Sequence, residues 1–369
     1  HTEVRRQRQM CIRDRVRTWQ AFLINTVFWG GIAHAGVIFA VIWQITDAKW
    51  GRAFKRLAEA CAGFLPISFL MFMVVFFGSH VLYEWTHTPF LHHGEAVKQG
   101  WLNLPFFISR NVFWLLLIYG ISYWFVKTSI KPDIALARRL IGSDWGGKFA
   151  DWVLEDYGEH ETEVIRLEKL SRKIAPVLAF VYSIGGSFLA WDFVMTLDQT
   201  WFSTLFGVFV MIGNMHAFLG LMLVVAVTVR QKFAIEEYIS INRLHDLAKM
   251  TFAFSLLWTY MGYSQYIVIW YADLPEETPY LIIRSMNAPW NTLFLVIILW
   301  VFVSVFLGLL PRTLCRIPNY IRLMGIWVML GQLLSVYIMV VPSLQHDGHY
   351  HIFMGMHELL ITLGFVGAF

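Results

Sequence analysis

Charge is scarce in this chain. Of its 369 residues 15% are Asp, Glu, Lys or Arg, whereas 57% are hydrophobic. Soluble domains carry about 25% charged residues, so a water-soluble globular fold is excluded. The net charge of +4 is small, and nothing in it suggests a nucleic-acid partner. Three cysteines, Cys11, Cys61 and Cys315, form no CxxC or other ligand spacing, which leaves no disulfide framework and no cysteine metal site. No glycine-rich phosphate-binding loop is present; Gly185 and Gly186 lie in an apolar run, where small residues permit close helix packing. No apolar run carries two histidines about four turns apart, as membrane haem sites often do, which leaves only His34 and His216 as a conceivable haem pair. Redox chemistry would need a bound organic cofactor or a partner's metals.

What the chain has is long apolar runs. Nine are visible, near 21–43, 63–82, 104–126, 174–197, 202–229, 250–272, 290–310, 321–341 and 352–369. The reading is an all-α, polytopic transmembrane helical bundle. Lys and Arg in the connecting segments set its orientation. The segments after odd-numbered runs hold 20, and those after even-numbered runs hold two, Lys98 and Arg284. Odd loops are therefore expected on the cytoplasmic side. The segment 127–173 is charged and reads as a cytoplasmic loop with one or two short helices. The first 17 residues carry six arginines directly before a span whose start the charge pattern puts outside. They are read as a non-native tail, with residues 18–369 forming a single transmembrane domain and a further span expected before residue 20 in the intact protein.

The stretch His245–Thr278 looks like the organising element. Its 23 residues from Met250 to Ala272 contain no charge, long enough to cross about 30 Å of hydrocarbon. Thr251, Ser255, Thr259 and Tyr263 recur every fourth residue and share one face. Polar groups are costly in lipid, so this face is expected to look at other helices or at water. It reads either as glue between helices or as one wall of a proton path or quinone cleft.

Ionisable groups at membrane depth are functional candidates. Asp192 and Asp198 lie at the outer end of the fourth run, and His80 and Glu84 at the outer end of the second; together they form a candidate outer proton or quinone site. Asp198 could instead cap the following helix. His245 and Asp246 mark a point of proton uptake on the inner face, with Tyr263, Thr259 and His216 continuing inward. The run His346–His351 holds His346, Asp347, His349 and His351, which suits a solvated loop better than a metal site. No metal is assigned.

Two segments, 191–209 (WDFVMTLDQTWFSTLFGVF) and 244–278 (LHDLAKMTFAF–W–Y–SQ–IWYADLPEET), resemble the NrfD/PsrC-like membrane subunits of alternative complex III. The similarity extends over about 20–369, including 55–60 (KRLAEA) and 101–114 (WLNLPFFISRNVFW), and is greatest to the ActF-type second quinone-binding subunit. The resemblance implies ten spans in a bacterial inner (cytoplasmic) membrane. It also implies a complex that oxidises quinol, menaquinol or ubiquinol, and passes electrons to cytochrome c or an oxidase. The partners it implies are a sister NrfD-like subunit, an iron–sulfur subunit, haem c subunits and other small membrane subunits. In that family this subunit is more often assigned proton conduction, and the sister subunit the quinol site. A Glu-Pro-His run of the family is replaced here by Asp198, Gln199 and Thr200, which keeps the carboxylate but loses the imidazole.

The expected function is thus a membrane subunit of a quinol-oxidising oxidoreductase complex, without independent activity, contributing a proton path and a candidate quinone site. The rival is a structural anchor that docks the iron–sulfur and haem partners. A secondary transporter is disfavoured, because no inverted repeat or pair of interrupted helices is evident.

Overall fold

The computed structural model describes residues 2–48, 51–88, 91, 92, 95, 96, 98–345, 352 and 355–369. The histidine-rich run at 346–351 lies outside the described residues, and so do the side chains of residues 1–13. The architecture is all-α apart from a two-residue hairpin, β1 (Leu91–His92) and β2 (Glu95–Ala96).

The bundle is built around α1 (Thr2–Ile45), not around the His245–Thr278 stretch. From Gln20 to Val41 this helix is buried on nearly every side, as expected of a helix whose apolar residues are not confined to one stripe. Packed on it are α2 (Arg52–Ala60), α3 (Leu65–Phe77), α7 (His160–Phe193), α8 (Phe206–Phe233), α13 (Pro318–Val340) and α14 (Met356–Ala368). A short α4 (Ser79–Leu82) follows α3, and α5 (Leu104–Ile141) lies along α7.

Among the described residues, seven helical stretches are long and apolar enough to cross a membrane: Asp14–Ile45, Arg52–Phe77, Leu104–Ile141, His160–Leu197, Phe206–Phe233, Trp290–Leu309 and Pro318–Leu344. Two of the nine expected spans fall short. The helix α9 (Ile241–Ala272) has ample length at 32 residues, but Trp258, Tyr260, Tyr263, Tyr266, Trp270 and Tyr271 make it less apolar than the others. Helix α14 has 13 residues, roughly 20 Å at about 1.5 Å per residue.

The segment 127–173 is more helical than a loop. Helix α5 runs on to Ile141 and α7 starts at His160, with α6 (Gly147–Leu154) between them. The reason is a small apolar cluster of its own: Ile134, Ala150 and Val153 are buried together, with Ile130 and Leu154 against them. Gly146 (φ +80°) supplies the left-handed turn that starts α6.

Close packing at Gly185 and Gly186 is as the sequence suggests. A Cβ at Gly185 would meet Trp114 Cε3 at 2.6 Å, and one at Gly186 would meet Met211 Sδ at 2.8 Å. A crossing that brings backbone against backbone lies elsewhere, where Gly220 of α8 faces Gly325 of α13 and a Cβ at Gly325 would sit 2.5 Å from the Gly220 carbonyl oxygen. After α9 come α10 (Thr278–Ser285), α11 (Trp290–Ile297) and α12 (Val305–Leu309). Between the last two, Ile298–Ser304 is a π-helix. The wider turn loosens the backbone ladder, and the Val301 carbonyl accepts from Ser255 Oγ of α9 at 2.8 Å.

Candidate functional site

At the outer end of the bundle α5 and α7 run antiparallel, which brings the first turns of one against the last turns of the other. Asp192 is fully buried there and held by Arg110 in a two-point grip: Arg110 Nε donates to Oδ2 (2.8 Å) and Nη2 to Oδ1 (2.7 Å). Asn111 Nδ2 donates to Oδ2 as well (2.9 Å). Arg110 is itself nearly sealed, with its guanidinium carbon 3.8 Å from the Trp101 ring centroid and 4.6 Å from that of Phe106. A planar guanidinium suits both the carboxylate fork and the ring faces. Removing one partner of such a buried pair strands the other charge, at about 3–5 kcal/mol.

Arg110 is the functional residue that the sequence reading missed. The signal was available: an arginine six positions into an apolar run, at the same end of the bundle as Asp192. The other outer residues are arranged differently. Asp198 accepts from the Thr200 backbone N–H (3.0 Å) and hydroxyl (2.7 Å), so it ties the turn before α8 rather than capping that helix. His80 and Glu84 are exposed, and the His80 carbonyl is within 2.8 Å of His87 Nε2. Tyr83, between them, is the residue that turns inward, donating to the Phe193 carbonyl (3.1 Å) beside Asp192. Asp192 is sealed whereas His80 and Glu84 face outward, so the four do not open on a common surface. A quinone is not accommodated by this set as it stands, because Asp192 has no free face to offer a headgroup.

Beside Asp198 lies a second cationic feature that sequence reasoning used only for counting loop charge. Trp201 and Tyr280 stack at 3.8 Å, and the Arg284 guanidinium lies 3.4 Å from the Tyr280 ring centroid. Arg284 is 4% exposed, and donates to the carbonyls of Ile338 (3.0 Å) and Met339 (3.0 Å) and to Ser343 Oγ (2.6 Å). A cation there complements the C-terminal dipole of α13. Burial holds the Arg284 pKa below its ordinary value, and the neighbouring Tyr280 and Asp198 work against that shift.

At mid-depth the structure connects residues that the sequence left apart. His216 is fully buried, and Gln332 Nε2 of α13 donates to its Nδ1 at 2.8 Å. An imidazole that accepts at Nδ1 carries its proton on Nε2 when neutral, and that nitrogen has no protein partner. His34 of α1 is buried with its Nε2 likewise unpartnered, and its ring rests edge-on against Tyr119 (4.7 Å) and Tyr182 (5.9 Å). Two adjoining cavities share Val27, Val194, Val210 and Asn214. The larger, about 40 Å³, is lined by His34, Tyr182 and Asn214 among others. The smaller, about 10 Å³, is lined by Asn214, Gly213 and Gln332. Roughly 10–15 Å³ of such space suffices for a water that finds polar partners. The result is a line of four polar side chains: His34 and half-buried Asn214 share one cavity, Asn214 and Gln332 share the next, and Gln332 bonds His216. Spaces of this size admit waters.

The inner-face residues and the α9 face do not join that line directly. Tyr263 is 59% exposed, on the outer surface of the bundle. Thr251 and Thr259 donate to backbone carbonyls of their own helix, those of Leu247 (3.0 Å) and Ser255 (2.9 Å). Ser255 bonds across to Val301, which is the role of helix glue. Helix α9 reaches His216's surroundings through Trp258, whose indole nitrogen would lie 3.3 Å from a Cβ at Gly213. His245 and Asp246 line an inner-face cleft together with Lys249, Arg312 and Arg316. Partial burial first, and then the positive charge of Lys249, lowers the His245 pKa below the ordinary histidine value; Arg312 and Arg316 act in the same direction, and Asp246 against it.

Among the described residues no three of His, Cys, Asp and Glu converge as a metal site would require. Compared with protein-family models and with curated protein sequences, the chain matches none.

Proposed function

We propose that this chain is a multi-pass subunit of a bacterial inner-membrane complex that oxidises quinol and delivers electrons to cytochrome c or an oxidase, and that its part is to carry protons. The resemblance of 191–209 and 244–278 to NrfD/PsrC-like subunits supports the complex, and with it nine spans in this chain. The observation that carries the proton role is the line from His34 past Asn214 and Gln332 to His216, with two water-sized cavities along its first part, in which waters and the two imidazoles would hand on the proton and the amides would orient them. Ionisable groups kept inside a membrane bundle at such cost mark proton relays in many pumps and transporters. In this reading electrons never enter the chain. They pass through the iron–sulfur and haem c partners, and quinol is handled by the sister subunit.

The test is turnover and proton uptake per assembled complex in proteoliposomes. His216→Leu and Gln332→Leu each break the line without adding charge. Loss of a general acid–base group costs about 10²–10⁴-fold, so proton uptake should fall more than tenfold while complex assembly holds. Full proton stoichiometry in both variants would sink the reading.

Two observations favour the rival, a structural anchor: the α9 hydroxyls are spent on backbone carbonyls, and Asp192 is locked by Arg110. On that reading the variants would lower the amount of assembled complex and its activity in equal proportion.

A further inference from the structure

The inner-face cleft between the start of α9 and the turn after α12 has a make-up that proton uptake does not explain. It encloses about 630 Å³ and is lined by Asn242, His245, Asp246, Lys249, Phe252, Leu309, Leu310, Arg312 and Arg316. Three permanent cations face one carboxylate. Asp246 is already engaged by Lys249 at 3.2 Å, and Arg316 Nη2 is steered by Asn242 Oδ1 at 2.8 Å. Arg312 and Arg316 are exposed at the rim. Below them the wall turns apolar: Phe252 lies one turn along α9 from Lys249, rests on Phe306 (5.2 Å), and is continued by Leu309 and Leu310. A cleft of this sign repels hydronium and attracts an anion.

We propose that this cleft binds the headgroup of an anionic phospholipid of the cytoplasmic leaflet. Its phosphodiester would lie between Arg312, Arg316 and Lys249, and the upper part of its acyl chains on Phe252, Leu309 and Leu310. Charge complementarity and the step from basic rim to apolar wall select the occupant. A soluble phosphate has no use for the apolar wall, and a zwitterionic lipid has none for the excess positive charge. Basic pockets between transmembrane helices on the cytoplasmic side bind such headgroups, and this loop is on the side that the lysines and arginines mark as cytoplasmic. The proposal is independent of the proton role.

The full chain, reconstituted in phosphatidylcholine vesicles with phosphatidylglycerol as a minor component, is extracted into detergent, and phospholipid retained per chain is measured by native mass spectrometry. Phosphatidylglycerol should be enriched over its share in the vesicle. The double variant Arg312→Gln/Arg316→Gln should bind it roughly twentyfold more weakly, at about fivefold per cation near a membrane surface. The double variant Arg312→Lys/Arg316→Lys, which keeps the charge, should retain most of it. Lys148→Gln/Lys169→Gln, on exposed sites of the other cytoplasmic segment, should retain all of it. Equal retention in the Gln and wild-type proteins overturns the proposal. So does equal retention of phosphatidylcholine, or displacement of the lipid by millimolar inorganic phosphate alone. If no lipid is retained and the Gln variant instead loses an acidic partner protein, the cleft is a protein-docking site and the proposal fails.

Discussion

Arg110 and Asp192 form the most consequential pair in the molecule at the scale of single residues. Both are buried, and the bidentate contact leaves neither carboxylate oxygen unpaired. Asp192→Asn or Arg110→Gln alone should lower unfolding stability by about 3–5 kcal/mol, because each strands a desolvated partner. Arg110→Met combined with Asp192→Leu should recover most of that loss, since an apolar pair of similar size is often as stable as a buried ion pair. Chemical or thermal unfolding in detergent of the wild type, Arg110→Met, Asp192→Leu and the double variant gives the coupling directly. Two additive single effects would show that the pair is not a unit. His245 offers a different test. Its pKa is lowered in the folded chain, so its contribution is present above the ordinary histidine value of about 6.5 and lost as pH falls through the lowered one. Protection of the amides at the start of α9, taken relative to intrinsic exchange at each pH, should therefore fall at acidic pH. His245→Gln should abolish that loss; if protection there is indifferent to pH in the wild type, the imidazole is not held against its neighbours' charge.

Among elements, the α8–α13 crossing sets how closely the core can close. A Cβ at Gly325 would lie 2.5 Å from the Gly220 carbonyl oxygen and 2.9 Å from Val224 Cγ2, with backbone on one side that cannot move aside. Gly325→Val should cost at least the roughly 1–3 kcal/mol typical of overpacking, and it should also disturb Gln332, two turns further along α13, and with it His216. Gly364→Val on α14, where a Cβ meets nothing within 4 Å, is the matched control. Equal melting temperatures for the two variants would show that α8 and α13 can separate freely. Helix α9 shows the opposite economy. Its exposed Tyr260, Tyr263, Trp270 and Tyr271 look away from the core, and rings with polar tips suit a membrane boundary or a partner's surface.

The whole molecule is asymmetric across the membrane. Single cysteines placed at Lys148 and at Lys98, in a background without native cysteine, should react with an impermeant thiol reagent from opposite faces, because the loop bias fixes orientation. Labelling of both from one side would reverse the reading of the inner cleft as cytoplasmic. The core is asymmetric as well: the sealed Arg110–Asp192 pair is at the end that the loop charges assign to the outside, the polar line crosses the middle through α1, α8 and α13, and the basic cleft is at the opposite end. Helix α1, continuous with the segment read as a tail, also pairs Arg17 with Glu358 of α14 at 2.8 Å.

The sequence by itself determined that the chain is all-α with long apolar helices, seven of its nine expected spans being long and apolar enough to cross a membrane among the described residues, because apolar run length is a local quantity summed along the chain. It also pointed to Asp192 and His216, since an ionisable residue in an apolar run stands out without any partner being known. Only the tertiary structure decided what those residues face. Arg110 and Asp192 lie 82 positions apart, and Gln332 and His216 lie 116 apart; no periodicity links such positions until antiparallel packing sets the register. For the same reason the every-fourth-residue face of α9 gave no hint that its hydroxyls would turn to their own backbone. The central place of α1 was equally hidden. Helices apolar all round look alike in sequence, and which of them is surrounded depends on how the others pack.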